Sequence, residues 1–253
     1  MGNSEISRFS SLTFDKFREN ALDEDMSNSE KIGFPDAMRD GYEGAILVSI
    51  LKNVPVLGKS GNCILDIGIG CGKLGQKIAE QSKVAGNELV AVDSEEMLAK
   101  LSSSSSILCV PGQFPSNIDE VKKAAPDKGY SAIIVYSVMQ HVVLEANPFD
   151  FLDAALSLLA PGGRLLLGDI PNLSMLKRFL SSEAGEAYHK KYMQTDEPPQ
   201  VDFNVMNRGK IDDSLVLGLM ARGRLQGFQT WSMPQSPDLP FYQRREDLLF
   251  ERP

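Results

Sequence analysis

A chain of 253 residues, 42% hydrophobic and 24% charged, has the composition of a globular protein and the length of one α/β domain. Its 26 basic and 34 acidic side chains leave a formal charge of −8, which argues against a general binder of nucleic acid or of an anionic membrane surface, since both need a basic face to displace counterions. No run of about 18 apolar residues is present to insert in a membrane, the N-terminus lacks the basic and apolar regions of a secretory signal, and three cysteines without a Cys-x-x-Cys fit a reducing compartment, so a cytoplasmic location is expected.

Residues 1 to about 40 are polar and weakly periodic and are expected to form an irregular or partly helical arm. "EGAILVSILKNV" (43–54) has helical spacing and is closed by Pro55. Residues 1–55 are therefore read as an N-terminal helical arm or cap, and 56–253 as the main domain. From Asn62 strands and helices alternate. "NCILDI" is a buried strand, "KLGQKIAEQ" a helix and "ELVAVD" a second strand. "SEEMLAKL" is a helix capped by Ser94, with Met97 and Leu98 facing inward.

"SILCV" is a third strand, with Ser102–Ser106 before it read as a solvated loop. "NIDEVKKA" is a helix and "SAIIVYS" a fourth strand followed by a loop. "PFDFLDAALSLLA" is a helix ended by "PGG", and "RLLLGDI" a fifth strand. Then "NLSMLKRFLSSEAGEAYHKKYM" is helical with a break near Gly185, and "DDSLVLGLMARGRLQGF" is a capped helix. "QTWSMP" and "REDLLFERP" are two closing strands. Such alternation predicts an α/β fold whose parallel sheet is covered on both faces. Cys63 and Cys109 are expected to be buried, and Cys71 to pack within its loop.

The stretch "ILDIGIGCGKLG" carries the chemistry. Gly70, Gly72 and Gly75 make a formal G-x-G-x-x-G, and Asp93 follows Gly70 at the end of the second strand. A dinucleotide site would use these glycines to bring a pyrophosphate onto a helix N-terminus. Asp66 at the end of the first strand is a poor neighbour for a pyrophosphate and a good one for an amino group or a sulfonium. A Walker A loop fails because Leu74 follows Lys73.

"LDIGIGCG" resembles motif I of the class I S-adenosylmethionine-dependent methyltransferases. "VAVDSEEML" resembles the family's second motif, "YSAIIVYSVMQHV" its fourth strand with the loop after it, and "LLAPGGRLLLGDI" its helix-turn-strand unit. The resemblance implies a Rossmann-like, seven-stranded, mostly parallel, doubly wound sheet with an antiparallel strand at the C-terminal end. It implies S-adenosyl-L-methionine as cofactor, held by Asp66, Gly68, Gly70, Gly72, Asp93, Ser94, Gln113, Phe114, Ser137, Gln140 and Arg39. Asp93 would take the ribose and Arg39 the methionine carboxylate. Gln113 stands where many members have an acid, and its amide can bond an adenine edge. An NAD-dependent dehydrogenase and a non-catalytic, cofactor-binding scaffold of the same fold are the competing readings.

Methyl transfer is a displacement at an activated carbon, so the protein supplies alignment and, for an oxygen nucleophile, a base. His141 and Asp169 are the candidate catalytic residues. For His141 a packing or pocket-lining role is the alternative, for Arg39 a surface position. No metal is expected, and His189 is read as solvated. Residues 171–210 are read as an insertion that builds the acceptor site, with Phe179, Tyr188, Tyr192 and Phe203 able to wall it. The expected partner is a small-molecule acceptor, with O-methylation of a sugar, a sugar nucleotide or a similar metabolite as the reaction.

Overall fold

A computed structural model describes residues 12–101, 107–205 and 207–253. The serine run Ser102–Ser106 and the first eleven residues lie outside them. Seven strands form one sheet in the order β3-β2-β1-β4-β5-β7-β6. These are β1 (Cys63–Ile67), β2 (Glu88–Asp93), β3 (Ile107–Pro111), β4 (Tyr130–Tyr136), β5 (Leu159–Pro171), β6 (Gln229–Pro234) and β7 (Arg245–Glu251). The first five run parallel, and β7 lies antiparallel between β5 and β6.

β1 is buried at every position, as a strand between two helical layers should be, and its burial extends to the charged Asp66. One face of the sheet packs on Ile46 and Ile50 of α4 (Glu43–Asn53) and Ile78 of α5 (Lys73–Ala85). The other packs on Val121 of α7 (Ile118–Lys123), Phe151 and Leu152 of α9 (Pro148–Ser157) and Val216 and Leu219 of α12 (Asp213–Leu225). The sheet is thus doubly wound. Strand order reverses between β1 and β4, which opens a crevice beyond their carboxyl ends.

The arm folds into α1 (Phe14–Leu22), α2 (Asn28–Lys31) and α3 (Asp36–Arg39). Thr13 caps α1, and Ser27 and Glu30 form a reciprocal capping box at α2. α6 (Glu95–Leu98) follows β2 with Ser94 as its cap. α10 (Leu173–Leu180) and α11 (Glu183–Met193) follow β5.

Four expectations are corrected. "MQHVVLE" is a helix, α8 (Met139–Glu145), and not a loop. α9 stops at Ser157, so Pro161, Gly162 and Gly163 belong to β5, where pairing jumps from Tyr130↔Leu159 to Ala132↔Arg164 and Gly162 takes the bulge at φ 73°. The helical break falls at Ser181 and Ser182, because the Ser182 hydroxyl caps a new helix on the Gly185 amide. Cys109 is exposed, because β3 is an edge strand, while Cys63 is buried.

Candidate active site

A cavity opens at the switch point, where β1, β2 and β4 release their loops. After β1 the chain turns through Gly68 (φ 78°) and Gly70 (φ 65°), a left-handed backbone that suits residues without a Cβ. Gly72 then caps α5. The Gly70 amide donates to Asp93 Oδ2 at 2.8 Å and the Ser94 amide to Asp93 Oδ1 at 2.7 Å. One carboxylate therefore fixes the glycine loop to the end of β2.

Asp66 is 2% exposed, faces the cavity, and leaves Oδ2 with no partner. Burial, and next the charge of Asp93, push its carboxyl up to about 8. Burial likewise raises Asp93 to about 6, against the pull of the Ser94 and Gly70 amides. Two acids with raised pKa values in one cleft are an environment prepared for a cation.

The arm covers this cavity. Phe14, Phe17, Ile32, Phe34 and Arg39 line it from one side, with Gln113, Phe114, Ser137 and His141 among the residues opposite. Ile32 rests on the glycine loop: a Cβ at Gly70 or Gly72 would sit 2.8 or 2.6 Å from its side chain. Arg39 is 4% exposed and so is no surface arginine. Its guanidinium lies 4.8 Å from the Phe34 ring centre and 5.8 Å from that of Tyr136, and its Nε is buried without a partner.

His141 lines the same cavity from α8. Its Nδ1 lies 3.1 Å from the Leu12 carbonyl, which can only accept, so Nδ1 carries the proton. Its ring meets Phe17 edge to face at 4.7 Å. Burial pushes its pKa down to about 4, so the imidazole is neutral at pH 7. On the same helix, Glu145 accepts from the Phe14 amide at 2.8 Å, and Arg18 pairs with Glu96 at 2.8 Å nearby.

Three expected contacts are corrected. Asp169 lies behind the cavity wall and does not line it. Its Oδ2 accepts from Ser137 Oγ and from Arg245 Nη1, both at 2.5 Å, and its amide donates to Asp247 Oδ1 at 2.8 Å. It is the hub of a buried polar network, not a free acid. Ser94 caps α6 through the Met97 amide, and Gln140 turns its amide onto the Ser137 carbonyl at 2.6 Å; neither lines the cavity.

Sequence reasoning missed Phe14, Phe17, Ile32 and Phe34. The only signal was the one-turn spacing of Phe14 and Phe17, which says that a helix has an apolar side and not what that side covers.

A second cavity adjoins the first. It is lined by Ala37, Met38 and Tyr42 after the arm's turn, by Leu176, Phe179, Tyr188 and Tyr192 of α10 and α11, and by Pro240, Phe241, Gln243 and Arg244 ahead of β7. Phe203, expected with them, is 58% exposed and lies outside it, carried off by the 194–210 loop.

A parallel 3-2-1-4-5 sheet extended by the antiparallel pair 7-6, with a glycine turn after β1 and an acid ending β2, defines a class I methyltransferase fold. Residues 65–165 match a family model described as a methyltransferase domain. Over those residues the chain is similar to methyltransferases, and its sheet has their fold.

Solved structures share the fold at low identity. The plantazolicin methyltransferase BpumL, in complex with a triazolic desmethylPZN analog and SAH, is 16% identical with a TM-score of 0.58, covering 99% of each chain. The plantazolicin methyltransferase BamL is 14% identical with a TM-score of 0.57 and the same coverage. The N-methyltransferase NodS from Bradyrhizobium japonicum WM9, in complex with SAH, is 13% identical with a TM-score of 0.51, covering 95% of this chain and 98% of that one. No curated protein matches the sequence. Among the described residues no helix is long and apolar enough to cross a membrane.

Proposed function

We propose that the protein transfers a methyl group from S-adenosylmethionine to a small hydroxylated acceptor of the sugar or sugar-nucleotide kind, in the cytoplasm. The observation that carries the cofactor assignment is a pair of orphaned atoms in the first cavity, Asp66 Oδ2 and the Nε of Arg39, whose Nη1 lies 3.9 Å from Asp169. Asp66 offers an acceptor oxygen and Arg39 a donor nitrogen, each buried and unpartnered. An unmatched buried polar group is costly, and a zwitterionic amino-acid tail answers both, its ammonium for Asp66 and its carboxylate for Arg39. In this reading Asp93 takes the ribose, and Gln113 and Phe114, which line the same cavity, take the base. A pyrophosphate would meet Asp66, which disfavours a dinucleotide.

The cofactor supplies a methyl group already activated on a sulfonium. The chain's own residues then align the acceptor and exclude water. Phe14, Phe17, Ile32 and Phe34 make the excluding wall, so residues 12–39 act as a cap, whereas α4 of the expected 1–55 arm belongs to the layer that covers the sheet. His141 acts as the tether of that cap through Leu12 and Phe17 rather than as a base, because an imidazole pushed down to about 4 is a weak proton acceptor. Asp169 braces the cavity-lining Ser137 from behind. Of the 171–210 segment, α10 and α11 form the acceptor side through Leu176, Phe179, Tyr188 and Tyr192.

Calorimetric titration with S-adenosylmethionine and with NAD tests the cofactor. The expected result is binding of the first only; binding of NAD alone would mean a dehydrogenase. A methyl-transfer screen over sugars, sugar nucleotides and other hydroxylated metabolites, with amines as the contrasting set, tests the acceptor. Cofactor binding without transfer to any of these would leave a scaffold.

A further inference from the structure

The aromatic cavity beside the cofactor pocket holds a cation that the protein does not neutralise. Arg244 stacks on Phe241, with its guanidinium 4.3 Å from the ring centre. Among the described residues it has no carboxylate within ion-pair distance, whereas its neighbour Arg245 is bound to Asp169 at 2.5 Å. Its backbone is fixed on both sides: its amide donates to the Phe241 carbonyl and its carbonyl accepts from the Asn172 amide, each at 2.9 Å. Burial, and next the adjacent Arg245, lower its pKa, while the nearby Tyr188 and Tyr192 oppose that shift. A half-buried guanidinium with no counter-ion favours any anion that reaches it.

The rest of the lining is aromatic and partly open. Tyr188 and Tyr192 lie one turn apart on α11, stacked at 5.7 Å and 9°, and Phe179 meets Tyr188 at 5.6 Å. Tyr188 and Tyr192 are 41% and 43% exposed, so part of each ring stays open to a ligand beside the stack. The cavity also stands next to the reaction. The Arg245 guanidinium lies 5.8 Å from Phe34, a wall of the cofactor pocket, and 5.3 Å from Phe241, a wall of this one. Arg245 therefore lies between a wall residue of each cavity.

We infer that the methyl acceptor joins a planar ring to an anionic group, a phosphate or a carboxylate, and that Arg244 receives the anion while Tyr188 and Tyr192 receive the ring. This rests on the methyl-transfer reading and narrows it. Neutral sugars are excluded, and within the sugar class nucleotide-linked sugars remain. The shared chemistry also admits hydroxylated aromatic acids.

The test uses the full chain saturated with S-adenosylhomocysteine. It is titrated with UDP-glucose and its neutral counterpart uridine, then with 3,4-dihydroxybenzoate and its neutral counterpart catechol. At least one anionic probe should bind tenfold or more tightly than its counterpart, and the pair that shows this identifies phosphate or carboxylate. Arg244→Met should erase the preference and Arg244→Lys should keep part of it, both at parental melting temperature. Should Arg244→Met fail to fold, Arg244→Gln replaces it. Tyr192→Ala should weaken the anionic and neutral members of a pair alike.

Absence of any preference in the parent, including absence of binding, overturns the assignment. So does a preference that survives in a folded Arg244→Met or Arg244→Gln. If S-adenosylhomocysteine itself does not bind, the methyl-transfer reading falls and this inference with it. If it binds and no anion is preferred, only the inference falls.

Discussion

The two cavities are built by opposite means. The cofactor pocket is made of one continuous turn after β1, an acid at the end of β2 and the loops that follow β3 and β4. Its shape is set by backbone: Gly68 and Gly70 hold a left-handed conformation, and Asp93 grips the Gly70 amide. The second cavity, proposed above for the acceptor, is made of side chains from three segments, 37–42, 176–192 and 240–244, with no strand among its lining residues. Backbone-defined sites tolerate little change of residue type, whereas side-chain-defined sites can be rebuilt one contact at a time. That difference lets one fold serve many acceptors with a single cofactor.

Substitutions in the two regions should therefore differ in size and in what they alter. The largest effect belongs to Gly70→Val. The left-handed backbone costs a side chain about 1–2 kcal/mol, and forcing Ile32 aside costs about 1–3 kcal/mol more. Affinity for S-adenosylhomocysteine should fall on the order of a few hundredfold by calorimetry. Parental affinity would show that the loop does not shape the pocket.

Asp93→Ala comes next. It removes a charged acceptor, worth about 1.5–3 kcal/mol, and about 10- to 100-fold in cofactor affinity. It also frees the Gly70 and Ser94 amides, so the melting temperature should fall as well. A loss of affinity with no loss of stability would break the link between loop and strand.

The third prediction concerns pH. Asp66 is raised to about 8, far above its unfolded value, so the folded protein holds a proton that the unfolded chain has released. Stability of the cofactor-free protein should decline from this source as pH rises from about 4 to about 8, and Asp66→Asn should flatten that slope. Cofactor binding runs the other way. The ionised acid attracts the ammonium, so affinity should rise by up to about tenfold per pH unit until about pH 8. A flat affinity profile would place the ammonium elsewhere.

His141→Ala should be milder. It loses one hydrogen bond and one edge-to-face contact, each about 1 kcal/mol, so cofactor affinity should fall about tenfold with turnover at saturation little changed. A 10²- to 10⁴-fold drop in turnover at unchanged affinity would restore it as a base. Smallest is Phe241→Ala in the second cavity, proposed for the acceptor. The acceptor KM should rise a few-fold while cofactor affinity stays parental, and any loss of cofactor binding would show that the two regions are coupled.

The same contrast explains what could be read from residues alone. The strands, the glycine turn and the acids Asp66 and Asp93 are local patterns, and each declared itself in a short stretch. Arg39 was found as a candidate but not as a buried one, because its burial depends on Phe34 and Tyr136 arriving from distant segments. Asp169 read as a free acid at a strand end because its partner Arg245 lies 76 residues further on, across the antiparallel strand. α8 was hidden because "VMQHVVLE" carries no strong N-cap and follows a strand with a similar apolar content. Cys109 misled for the opposite reason, since strand composition does not say which strand ends at an edge.

The cover of the cofactor pocket has a kinetic consequence. Leu12 meets His141 across 129 residues, Phe14 meets Glu145 across 131, and Arg18 meets Glu96 across 78. Closing a flexible loop of that length has an entropic cost of about 4 kcal/mol, more than these few contacts return to an otherwise unfolded chain. The cover must therefore wait until β1 to β4 have assembled and brought those partners close. What docks last onto a finished sheet is also what detaches first from it. The arm should therefore exchange its amide hydrogens faster than the strands beneath it, and equal protection in both would show that cover and sheet unfold as one.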